Sequence, residues 1–128
     1  MSNVETFNPS SLGPAIMPYS NAAVANGFIF VAGQVSLDPE ANVVAPNDPY
    51  EQTKHILGRI KVILAEKGAT LNDIASTSVY ITELAHLPEY NRAWAEIFGD
   101  HRPARATVVC GLLIEGLVVE VTAIAALP

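Results

Sequence analysis

The sequence predicts an α+β fold, one sheet with two helices on the same face, on three observations. Two segments, 49–67 and 88–98, carry apolar residues at helical spacing. Runs rich in β-branched residues surround them in the order β-β-(β)-α-β-α-β-β. No composition break, repeat or linker divides the 128 residues, so residues 1–128 are expected to form a single domain.

A loop-like lead holding Pro9, Gly13, Pro14 and Pro18 gives way to two expected strands, Tyr19 to Ala25 and Phe28 to Ala32. Asn26-Gly27 between them signals a two-residue hairpin, because that tight turn needs positive φ at both positions. Gly33-Gln34 interrupts the apolar run, and Asp38 to Pro46 reads as a loop with one short strand at Val43-Val44. Asp48-Pro49-Tyr50-Glu51 supplies a capping aspartate, a proline at the first helical position and an acid in the first turn. Ile56, Leu57, Ile60, Ile63 and Leu64 continue that helix toward Gly68. Ile74 to Thr82 reads as a strand, Pro88 to Phe98 as a second helix with Trp94 in its core stripe, and Gly99 as its stop. Ala104 to Cys110 and Leu117 to Ala126 complete the pattern as two strands joined by a turn around Glu115-Gly116.

Composition narrows the function. Half of the residues are hydrophobic and mean hydropathy is +0.29, rich for a chain with so much surface to cover, so some apolar surface is expected to meet another subunit. Seven basic against thirteen acidic residues give a net charge of −6, the wrong sign for a phosphate-backbone binder, and no nucleic acid partner is expected. The longest apolar stretches, Phe28 to Ala32 and Leu117 to Leu127, fall short of the ~20 residues that span a bilayer. With no export signal evident and one cysteine, Cys110, the expectation is a cytoplasmic protein without a disulfide framework.

Two charged residues sit where charge is costly. Arg105 enters the apolar run Ala106-Thr107-Val108-Val109, sharing a strand face with Thr107 while Cys110 faces the other way. A buried guanidinium there needs an anion, either a protein carboxylate or a ligand carboxylate. Glu120 lies among Val118, Val119, Val121 and Ala123, where desolvation favours the protonated acid and makes it a general acid/base candidate. The competing reading is that Glu120 neutralises Arg105. Cys110 reads as a small core residue, and His55, His86 and His101 show no metal spacing, so no metal is expected. There is no G-x-S-x-G, P-loop or dinucleotide fingerprint.

The runs Arg102-Pro-Ala-Arg-Ala-Thr-Val and Val119-Glu-Val-Thr-Ala-Ile-Ala resemble the C-terminal signature of the RidA/YjgF family. Pro18-Tyr19-Ser20, Phe30-Val31-Ala32-Gly33-Gln34 and Tyr90-Asn91 fall in the same order, so the resemblance covers the whole chain. It implies a chorismate-mutase-like α+β domain with a mixed sheet, forming a homotrimer with clefts between subunits. It further implies hydrolysis of small carboxylated enamines and imines, of the 2-aminoacrylate type, to a 2-keto acid and ammonia, with no cofactor. Carried over by position, Arg105 would bind the substrate carboxylate and Glu120 would activate water. Gly33 would approach the carboxylate through its backbone, Thr107 would hold the substrate nitrogen through its carbonyl, and Tyr19 and Asn91 would close the pocket. Ala32, Thr107 and Thr122 depart from the family's usual serine, cysteine and acid, which bears on substrate preference. Two alternatives share these residues: a deaminase of a longer amino-diene acid such as 2-aminomuconate, and a non-catalytic sensor of carboxylated metabolites.

Overall fold

Asn26 and Gly27 take φ of 51° and 82°, the two left-handed positions that a tight hairpin demands, and join β2 (Ala22–Ala25) to β3 (Phe28–Val35). This comes from the computed structural model of the chain, which describes residues 3–128. The lead is not wholly loop. Glu5–Phe7 forms a three-residue strand, β1, antiparallel to β2, tied down by a Glu5–Lys67 ion pair whose ammonium lies 4.8 Å from the Phe7 ring centre. So short an edge strand leaves no alternation to read. The expected strand from Tyr19 begins only at Ala22.

Nor does Gly33-Gln34 end β3. Between the pairs Val31↔Ala123 and Gln34↔Val121 the strand advances three residues against two on its neighbour, a bulge with one extra residue at Ala32-Gly33. The strand then continues to Val35.

Helix α1 (Pro49–Ala65) starts as its sequence dictates, with the Asp48 carboxylate accepting the Glu51 N–H at 3.0 Å and Pro49 in the first turn. Its apolar stripe, Ile56, Ile60, Ile63 and Leu64, is fully buried against β3 and against α2 (Leu87–Phe98). Gly68 and Gly99, at φ of 74° and 61°, turn the chain after each helix. Trp94 lies in the core, edge-on to Tyr90.

The remaining strands are β4 (Ile74–Ile81), β5 (Ala104–Val109) and β6 (Val119–Ala126), in the sheet order β1-β2-β3-β6-β4-β5. All neighbours are antiparallel except β4 and β5, which makes the sheet mixed. β5 and β6 flank β4 and do not pair with each other, so residues 110–118 form a crossing loop rather than a hairpin turn. Val43 makes a single bridge to Leu37 in place of a strand.

β6 lies between β3 and β4 and shows what each face is for. Val119, Val121, Ala123 and Ala125 are buried toward the helices, while Glu120, Thr122 and Ile124 point to the opposite face. That second face has no layer over it and exposes Phe28, Phe30, Val108 and Ile124.

Candidate functional site

Glu120 has Val35 beside it on one strand and Tyr80 on the other, a central position facing away from the helices. Half-buried there, its carboxyl is pushed above the ordinary value by desolvation. Among the described residues no donor engages it. The β3 bulge brings Gly33 against it so closely that a Cβ on Gly33 would overlap Glu120 Oε2 and lie 3.0 Å from Cδ. Glu120, Gly33 and Tyr19 line a pocket of about 310 Å³, whose remaining wall includes Leu113, Ile114 and Leu117 of the crossing loop. An apolar pocket holding one poorly solvated carboxylate is what a general base requires.

Arg105 lies elsewhere. Its register row is Thr77↔Arg105 across β4 and Thr77↔Ala123 across β6, which places it on the helix side of the sheet. There its guanidinium carbon stands 4.8 Å from the Tyr90 ring centre and 5.3 Å from that of Trp94. The expectation that this arginine is buried fails: every residue of β5 is exposed in the chain, because β5 is the sheet's edge. No carboxylate of the described residues forms an ion pair with it. Asn91 shares its cleft of about 350 Å³ with Trp94 and Arg102. Thr107, on the same face of β5, meets the Tyr90 hydroxyl at 2.9 Å.

The six candidate residues thus fall into two sets on opposite faces of one sheet. Tyr19, Gly33 and Glu120 form one, and Asn91, Arg105 and Thr107 the other. Within one chain Glu120 cannot neutralise Arg105, which removes the counter-ion reading at that level. Cys110 is not core: it edges a hollow beside Glu120, Tyr80 and Thr122, on the open face. Among the described residues no group of three or more His, Cys, Asp or Glu could hold a metal.

Two residues that matter to the site escaped the sequence. Gln52, fully buried, accepts the Val118 N–H at 2.9 Å and donates to the Gly116 and Ala45 carbonyls at 2.7 and 2.9 Å, anchoring the crossing loop to α1. Its position one turn before Ile56, on the buried stripe, was the available signal. Arg59 is half-buried and donates from Nε to Gln34 Oε1 and from Nη1 to the Leu37 carbonyl.

The model of the family described as endoribonuclease L-PSP matches residues 10–127. A RutC family protein from Pyrococcus abyssi is 42% identical over 110 residues, 86% of this chain and 87% of that protein. A protein of the conserved Rid family from Yersinia pestis is 32% identical, with a TM-score of 0.87 over 96% of this chain and 98% of its own. The YjgF gene product of E. coli is 27% identical, with a TM-score of 0.85 over 95% and 98%.

Proposed function

Since the chain belongs to the Rid/YjgF family, the one described as endoribonuclease L-PSP, we propose that it is a metal-free deaminase hydrolysing small carboxylated enamines and imines in clefts between the subunits of a cyclic homotrimer. The observation that carries this reading is the division of the candidate residues between two faces of one sheet. A site using both sets needs two copies of the chain, each lending a different surface, and head-to-tail contacts of that kind form a ring when the rotation between copies closes. The uncovered face, with Phe28, Phe30, Val108 and Ile124 exposed, is apolar enough to be that contact.

In the assembled cleft Arg105 of one subunit holds the substrate carboxylate through its planar fork. The Arg105 guanidinium rests over the Tyr90 and Trp94 rings, and no carboxylate of the described residues pairs with it. Glu120 of the neighbour takes a proton from water as the oxygen adds to the imine carbon. The imine nitrogen is protonated before water adds, so the carbinolamine is neutral. Its C–N bond then breaks as Glu120 hands its proton to the departing nitrogen and takes up the hydroxyl proton, and keto acid and ammonia leave. An enamine first takes a proton at its β-carbon to become the imine. A raised carboxyl pKa suits this duty, because a base titrating nearer the working pH accepts and returns the proton more readily.

Ammonia release from imines generated in place by an amino-acid oxidase tests the reading. Glu120→Gln keeps size but cannot take the proton, and kcat is expected to fall by about two to four orders of magnitude with ligand affinity little changed. Arg105→Lys is expected to weaken every carboxylated ligand by roughly 1.5 to 3 kcal/mol. Wild-type turnover by Glu120→Gln together with lost binding in Arg105→Lys would instead identify a sensor. The family's description favours a second reading, an endoribonuclease. The net charge of −6 opposes it, and submicromolar RNA binding at physiological salt would restore it.

A further inference from the structure

Behind the Glu120 pocket lies a recess of about 30 Å³ that shares Ile16, Tyr19, Gly33 and Val35 with it and is closed by Asn21, Gln34 and Arg59. Its hydrogen bonds have a fixed direction, because a guanidinium can only donate. Arg59 Nε donates to Gln34 Oε1 at 3.1 Å, which turns the Gln34 amide nitrogen toward the Ala32 carbonyl at 3.2 Å and Asn21 Oδ1 at 3.4 Å. Asn21 Nδ2 is then left as a donor with no acceptor, in a residue only 4% exposed. An orphaned buried donor is costly, and so is a half-buried guanidinium without a counter-ion. Among the described residues no carboxylate pairs with Arg59. Asp38 also lines the recess, but its oxygens hold the Glu40 and Asn42 N–H groups and the Asn42 amide of its own loop. One orphaned amide donor, Asn21 Nδ2, and one guanidinium without a counter-ion, Arg59, thus meet at one end of the pocket that holds Glu120.

We propose that this recess is a second anion subsite, in which Arg59 and Asn21 receive the distal carboxylate of a dicarboxylic substrate. The proposal rests on the deaminase reading above and narrows its substrate class. The recess has room for a water or a terminal carboxylate and no more, so the ligand enters through the larger pocket and leaves only its tip behind. Arg105 then clamps one end of the substrate and Arg59 the other, with the reacting carbon over Glu120 between them.

Calorimetric titration with dicarboxylates from succinate to adipate, against monocarboxylates of matching length, tests the subsite without catalysis. The best dicarboxylate is expected to bind the wild-type protein about tenfold or more tightly than its monocarboxylic partner, the scale of one charge-assisted hydrogen-bonded pair. Arg59→Gln is expected to abolish that preference while leaving monocarboxylate binding unchanged. Asn21→Asp, which puts a carboxylate into the recess, is expected to abolish it by repulsion. Equal affinities in the wild-type protein, a resident water being the occupant, would overturn the proposal whether or not either variant folds. Equal weakening of both series by Arg59→Gln would overturn it as well. Failure of the underlying reading shows separately, as Arg105→Lys weakening neither series.

Discussion

Gly33 and Glu120 are placed within a methyl group's reach of each other, and the consequence is testable at one atom. The backbone of Gly33 lies outside the left-handed region, so Gly33→Ala meets no φ penalty, and its Cβ falls on the Glu120 carboxylate. A flexible carboxylate can move aside, so stability is expected to fall by no more than about 1 kcal/mol while turnover falls at least tenfold, since a misplaced base loses its line to the water. Thermal melting beside ammonia-release kinetics reads the two effects. The same carboxylate carries a pH signature. Its folded pKa lies above its ordinary value of 4.5, so the linked stability is fully present below the unfolded value and is lost as pH rises through the folded one. Glu120→Gln, which cannot ionise, is therefore expected to melt at or above the wild-type temperature at neutral pH, with the gap closing in acid. A lower melting temperature at neutral pH would identify Glu120 as one half of a structural ion pair.

At the scale of an element, Gln52 ties the crossing loop at 110–118 to α1 through two hydrogen bonds, from the Val118 N–H and to the Gly116 carbonyl, and holds the Ala45 carbonyl beside them. Gln52→Ala would orphan the buried Val118 N–H and take one of two donors from each of the Gly116 and Ala45 carbonyls, which keep the Asn47 and Asp48 N–H groups, at a cost of about 1–3 kcal/mol. Denaturant unfolding measures that loss, and Leu113, Ile114 and Leu117 of the pocket wall are expected to gain amide exchange with it. At this scale the limits of the sequence are physical. Both helices were legible because their caps and stripes are local, and the Asn26-Gly27 hairpin because the turn dictates its residues. Arg105 and Glu120 stood out as charges in apolar strands. Alternation gives the parity of neighbours within a strand, so Thr107 and Cys110 were assigned opposite faces. It cannot relate residue 105 to residue 120, since that depends on β4 lying between their strands and on the register of both ladders. Bulges are equally silent, which is why β3 was expected to stop at Gly33. Arg59 carries no such signal, because a charged residue on an amphipathic helix is ordinary until its partners are known.

For the whole molecule the division of the site makes a demand that no single chain can meet. In the proposed reading Glu120 and Arg105 act on one substrate across a contact between copies, for which the uncovered apolar face is available. Mixing the two crippled proteins tests this most directly. Arg105→Lys and Glu120→Gln are each prepared alone, then dissociated, combined in equal amounts and reassembled. In a cyclic trimer every mixed assembly contains one cleft that takes its glutamate from the first variant and its arginine from the second. Random mixing then restores about a quarter of wild-type ammonia release from two nearly inactive parents. Recovery on that scale is the predicted result. A mixture no more active than the average of its parents would contradict the account, because it would mean that both residues serve a site built within one chain.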